Sequence, residues 1–207
     1  MYAIVDVETT GLDSKVHDIT EIGIVVFNEY GVVSCYSSLN TPSTPLTDQE
    51  VCKQTGLSND ILAGHKINWQ IVGDMLASVK CIIAHNAKFD KSFVSKYVTT
   101  KAEWLCSLHQ IDWGSKGKTS RKLGHLCADY GWSISQAAHR AIYDCLALYR
   151  LLTVSSTLQE LLSNAGKTEV VETRHIPYAN TEEREQAKRD GWQWKPEIKL
   201  WCKTTWT

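Results

Sequence analysis

The stretch YAIVDVETTGL, residues 2–12, sets two carboxylates, Asp6 and Glu8, inside an apolar run. Residues two apart on a β-strand project to the same face, so a strand over Tyr2–Glu8 places both acids side by side. Two like charges on a strand that otherwise reads as buried cost on the order of several kcal/mol per ion unless a positive partner joins them. A divalent cation is one such partner. An edge strand whose acids face water is the other reading.

Working outward, GLDSKVHD (11–18) is a turn-rich link, and ITEIGIVVFNEYGVVSCYSSL (19–39) is two β-branched runs around NEYG, the signature of a hairpin. After the loop NTPSTPLTDQE (40–50), helical stretches are predicted up to about Gly56 and over Trp69–Val79. KCIIAHN (80–86) is a short apolar strand ending in polar residues. Phe89, Phe93, Val94 and Tyr97 follow at helical spacing, so Asp90 falls in the first turn of a helix just past a strand end. Further helices are predicted over Arg121–Tyr130 and through Ala141, Cys145, Leu148 and Leu152. Strands first, then alternating strand and helix, indicate an α/β layered fold.

The character changes near Ser163. SNAGKTE (163–169) reads as a linker, and four of the eight tryptophans, Trp192, Trp194, Trp201 and Trp206, fall in the last sixteen residues. Two units are therefore expected, 1–163 and 164–207. In the second, TRHIPYA (173–179) is predicted as a strand, TEEREQAKRDG (181–191) as a helix capped by Thr181 and stopped at Gly191, and WQWKPEIKLWCK (192–203) as a hairpin. The tryptophans fit either a small core or, beside Lys195, Lys199 and Lys203, a surface that stacks unpaired bases.

Composition bounds the rest. With 43% apolar and 22% charged residues the chain is globular, and no apolar run approaches membrane-spanning length, so a soluble, cytoplasmic protein without a membrane partner is expected. Cys35, Cys52, Cys81, Cys106, Cys127, Cys145 and Cys202 are scattered and odd in number, which suggests neither a zinc site nor a disulfide framework. A net charge of −1 argues against a uniformly basic nucleic-acid surface, yet it becomes +3 once four carboxylates are neutralised by metal. The local run GSKGKTSRK (114–122) carries Lys116, Lys118, Arg121 and Lys122 without an acid, as a solvated loop or a phosphate contact.

Asp90 and Asp144 each stand near the start of a helix behind a histidine-containing segment, so four carboxylates and a histidine can meet at one site. Carboxylate oxygens are hard ligands suited to Mg²⁺ or Mn²⁺. Two such ions roughly 3.5–4 Å apart can stabilise the attacking and leaving oxygens of a phosphoryl displacement.

DVETTG with Asp6 and Glu8, AHNAKFD with Asp90, and HRAIYD with His139 and Asp144 resemble, in order, the three motifs of the DEDDh exonuclease family. The resemblance spans residues 1 to about 155. It implies a ribonuclease H-like exonuclease fold, a mixed central sheet flanked by helices, here followed by a small α+β module. It also implies 3′→5′ removal of nucleoside 5′-monophosphates with two divalent ions, Mg²⁺ or Mn²⁺, held by Asp6, Glu8, Asp90 and Asp144. The related branch with a tyrosine four residues before the last Asp is not matched, because Arg140 stands there. His139, five before, is about 140° from Asp144 on a continuous helix and so belongs on the loop entering it. An imidazole with a pKa near ~6.5 can take a proton from water at neutral pH, which makes His139 the general base. The resemblance further implies that Thr9, Thr10 and Gly11 hold the terminal nucleotide and that Leu12 wedges against its base. Read without it, Gly11 is a turn glycine and Leu12 a core leucine. His85 and Asn86 are expected to brace their loop, and His17 to be structural or at the surface.

HRAIYDC and the WLCSL segment (104–108) make the exonuclease X-like group the nearest in look. The expected substrate is therefore a DNA 3′ end, single-stranded or frayed, in a proofreading or repair role. The same five residues also serve RNA 3′-end exonucleases, the alternative, and a non-catalytic nucleic-acid binder is a third class. The chain is expected to act as a monomer or homodimer.

Overall fold

The computed structural model describes residues 1–133, 140–167 and 169–207. Its first sheet is built on β1 (Tyr2–Thr9), which pairs antiparallel with β2 (Ile19–Asn28) and parallel with β4 (Cys81–Ala84). β3 (Gly31–Leu39) closes the expected hairpin on β2, and β5 (Glu103–Cys106) pairs parallel with β4, giving the order β3-β2-β1-β4-β5. The mixed sheet with helices on both faces is the expected ribonuclease H-like arrangement.

The period of two in β1 divides its side chains between two cores. Ala3, Val5 and Val7 pack with Ile22, Ile24 and Val26 of β2 against α3 (Trp69–Ala77) and α4 (Ala87–Val94), through Val72, Leu76, Phe93 and Val94. On the opposite face Ile4, Val25 and Phe27 pack with Ile83 and Leu105 against α5 (Leu123–Asp129), α6 (Ala141–Val154) and α7 (Leu158–Leu162). Because β1 and β2 are buried on both faces, their polar residues must find partners inside the protein. α1 (Gln49–Thr55) and α2 (Asn59–Leu62) lie in the connection to α3, where Leu46, Leu57 and Leu62 form a satellite cluster.

A second sheet, ordered β6-β8-β7, is formed by β6 (Glu169–Arg174), β7 (Gln193–Lys195) and β8 (Leu200–Trp206), all antiparallel. Ile176, Ala187 of α8 (Thr181–Arg189), Trp201 and Trp192 pack as a cluster of their own. The first strand here differs from the expectation. It runs through EVVETR, and TRHIPYA contributes only Thr173 and Arg174, since Pro177 offers no N–H to continue a ladder. The helix cap is also one residue earlier. Asn180 Oδ1 accepts from the Glu183 N–H at 3.1 Å, so Thr181 is the first helical residue. Gly191 stops the helix as expected, at φ +85°. All seven cysteines are free.

Candidate active site

The α6-facing side of β1 and β2 places three pairs directly opposite one another: Ile4 and Val25, Asp6 and Gly23, Glu8 and Glu21. Asp6 and Glu8 therefore share a face, as the strand period requires. Gly23, across from Asp6, has no side chain, and α6 uses that space. A Cβ on Gly23 would lie 2.4 Å from the backbone carbon of Ala141, so the first turn of the helix sits directly on the strand. The buried Cys145 thiol extends this contact to the Gly23 carbonyl at 3.3 Å.

This close docking carries Asp144, in that first turn, to the acids. Carboxylate oxygens of Asp6, Glu8 and Asp144 all lie within 4.8 Å of one another. Asp90 approaches from the other face on the first turn of α4. It is buried, and its Oδ1 accepts from the N–H of Val7, the residue between Asp6 and Glu8, at 3.1 Å. One strand segment thus organises all four carboxylates.

Burial and mutual repulsion hold these groups towards their neutral forms. The Asp6 carboxyl is pushed well above the usual range by burial, then by Asp90, Glu8, Asp144 and Glu21. Burial first, then Asp144, Glu21 and Asp90, raises Glu8 to about 8, against a smaller opposing pull from Arg140. Burial raises Asp90 to about 7 although the Val7 N–H works the other way. Clustered hard oxygen donors with this unfavourable self-energy fit a divalent cation, which removes the repulsion and favours the ionised forms.

Glu21 is a fifth acid at this site and was missed in the sequence reading. It is fully buried on β2 opposite Glu8, with Oε2 bound to Arg140 Nε at 2.8 Å and Oε1 without a hydrogen-bond partner among the described residues. Arg140 is the residue before α6, and its carbonyl accepts from the Asp144 N–H at 3.2 Å. The signal was available, since an acid within ITEIGIVVF repeats the anomaly of Asp6 and Glu8.

His139, expected as the base, lies outside the described residues. Thr9 and Thr10 are buried just past an irregularity in the β1–β2 register. Thr9 Oγ1 donates to the Gly11 carbonyl at 2.7 Å, and Thr10 Oγ1 lies 3.2 Å from His17 Nδ1. Gly11 is needed for space, not for its turn, because a Cβ there would come within 2.5 Å of the His17 ring. Leu12 is 86% exposed, which removes the reading of it as a core leucine. His85 braces as expected, bonded to Ser107 Oγ at 2.9 Å and to the Arg121 carbonyl at 2.7 Å, and its burial lowers its pKa to about 4. In the basic run, Lys116 pairs with Glu160 at 2.7 Å and Lys118 with Asp129 at 3.6 Å.

Solved structures with this fold include exonuclease X in complex with 5′ overhanging duplex DNA. It is 22% identical with a TM-score of 0.58, covering 79% of this chain and 98% of that one. The nuclease domain of 3′hExo, a DEDDh family member bound to rAMP, is 19% identical with a TM-score of 0.59 over 77% and 92%. The architecture is thus that of the ribonuclease H-like exonucleases. Residues 3–152 match the RNase T family model, described as exonuclease, and the chain belongs to this exonuclease family. The DNA polymerase III epsilon subunit of Treponema pallidum (strain Nichols) is 28% identical over 158 residues, 72% of this chain and 73% of that protein. The PolC-type DNA polymerase III of Bacillus subtilis (strain 168) is 27% identical over 160 residues, 73% of this chain but only 11% of that protein. Among the described residues no helix is long and apolar enough to cross a membrane.

Proposed function

We propose that this chain removes nucleoside 5′-monophosphates from DNA 3′ ends, single-stranded or frayed, with two divalent cations, Mg²⁺ or Mn²⁺, held by Asp6, Glu8, Asp90 and Asp144. The observation that carries this reading is the convergence of Asp6, Glu8 and Asp144 oxygens within 4.8 Å, with Asp90 bonded to the strand between the first two. When bound, the cations would stabilise charge on the attacking and leaving oxygens of the phosphodiester. The protein's own part is to keep these acids converged on a rigid strand and two helix starts. His139, by its place in the motif, takes the proton from the attacking water. Thr9, Thr10 and Gly11 receive the terminal nucleotide, and the exposed Leu12 packs against its base. DNA as substrate is supported by likeness to the DNA polymerase III epsilon subunit and to an exonuclease X solved with duplex DNA. The likeness to 3′hExo, solved with rAMP, makes RNA the second reading. In this proposal residues 1–163 carry the chemistry, 164–207 form an accessory unit, and the protein works in the cytoplasm as a monomer or homodimer.

The test is digestion of matched 5′-labelled DNA and RNA oligonucleotides with Mg²⁺, alongside an EDTA control and Asp6→Ala. Stepwise shortening from the 3′ end, stopped by EDTA and by the substitution, is expected, with DNA the faster substrate. Full activity of Asp6→Ala would overturn the site assignment, and faster RNA shortening would overturn the choice of DNA.

A further inference from the structure

The second sheet holds a cavity that the catalytic reading does not use. It has a volume of about 490 Å³, within the size range of small-ligand sites, and is lined by His175, Tyr178, Arg184, Trp194, Lys199 and Trp201 among others. Its walls are aromatic and its charge is of one sign. Tyr178 is 85% exposed and Trp194 45% exposed, so both rings are open to solvent beside the cavity. The Arg184 guanidinium lies over the Tyr178 ring at 4.4 Å from its centre and donates to the Tyr178 carbonyl at 3.1 Å, so the cation is fixed beside the opening. Among the described residues, none that lines the cavity is acidic. Trp201, only 2% exposed, is part of the wall beside Trp194, with the two rings 6.1 Å apart.

Open aromatic faces beside cations suit a planar, electron-rich group next to an anion, which is the chemistry of a nucleotide in an unpaired strand. We propose that this cavity holds one unpaired nucleotide of the substrate strand, other than the one being removed, with its base stacked on Trp194 and its phosphates met by Arg184 and Lys199. The inference rests on the exonuclease reading for its ligand class, but its residues are separate from the acidic cluster. It converts a general nuclease site into one that grips long single strands better than short ones.

The experiment uses the full chain, in EDTA, with a fluorescein-labelled single-stranded 20-nucleotide DNA read by anisotropy. Trp194→Ala and, separately, Lys199→Glu are expected to weaken binding about tenfold, in line with the loss of one stacked base or one phosphate contact, and Trp194→Phe to restore most of it. In Mg²⁺, the ratio of KM for the 20-mer to KM for a dinucleotide is expected to rise by a similar factor in both variants. Lys199→Glu guards against misfolding, since Lys199 is exposed, and unchanged circular dichroism confirms it. Wild-type binding of the 20-mer by both variants overturns the pocket. If instead the wild type cleaves neither substrate, the catalytic reading fails while the anisotropy comparison still decides the pocket.

Discussion

Arg140 does two jobs, one with its side chain and one with its backbone. Its guanidinium partners the buried Glu21, and its backbone carbonyl receives the Asp144 N–H, so one residue ties the start of α6 to β2 beside the acids. Removing one partner of a buried ion pair typically costs about 3–5 kcal/mol, because the other charge is stranded. The Arg140 side chain is 38% exposed, so solvent screening discounts this to about 1–3 kcal/mol for Arg140→Ala. Urea denaturation is the measure. Arg140→Lys should recover only part of the loss, because lysine has no donor at the Nε position that bonds Glu21 Oε2 and its ammonium lies at the end of a flexible stem. A fully stable Arg140→Ala would show that Glu21 does not depend on its partner.

Elements meet at this site through close backbone approach more than through side-chain packing. The helix α6 rests on β2 at Gly23, where any Cβ would collide with main-chain atoms of Ala141 and Ile142 at 2.4–2.6 Å. Backbone cannot swing aside as a flexible side chain does. Gly23→Ala should therefore cost about 3 kcal/mol, at the upper end of overpacking, and lower activity by at least tenfold as Asp144 is displaced. Denaturant melts and turnover on one oligonucleotide check both, and a normal Gly23→Ala enzyme would mean that α6 can lift without consequence. Gly11 presents a milder case, since the group in its way is the His17 ring, a side chain.

At the scale of the molecule, the acidic cluster links stability to protons and, through the proposed cations, to metal. The folded-state pKa of Glu8, about 8, and of Asp90, about 7, lie above their ordinary values of 4.5 and 3.8. Groups raised in this way contribute stability at low pH that is lost as pH climbs through the folded values. In EDTA the melting temperature should accordingly fall between pH 6 and pH 8.5. If the cluster takes divalent cations as proposed, excess Mn²⁺ would bind the ionised forms, and the gain in melting temperature on adding it should grow over the same range. Glu8→Gln should flatten the metal-free slope and remove most of the Mn²⁺ gain. A metal-free melting temperature that rises with pH would contradict the geometry of the cluster.

The local pattern of the chain determined much of this protein. Alternation in YAIVDVET put Asp6 and Glu8 on one face, and helical spacing after KCIIAHN and HRA put Asp90 and Asp144 in first turns. These follow from periods of 2 and 3.6 residues, which a sequence displays directly. Short segments without a clear period, β5 and α7, escaped notice, as did the placement of β6 and of the Asn180 cap. What only the tertiary structure decided is register. Glu21 joins the site because it stands opposite Glu8, and Gly23 admits α6 because it stands opposite Asp6. Asp90 is fixed because its oxygen reaches the Val7 N–H across 83 positions of sequence. Such pairings depend on how separate elements slide against one another, and a one-residue slip would reverse every face, so they are set by burial of the whole core and not by any single stretch.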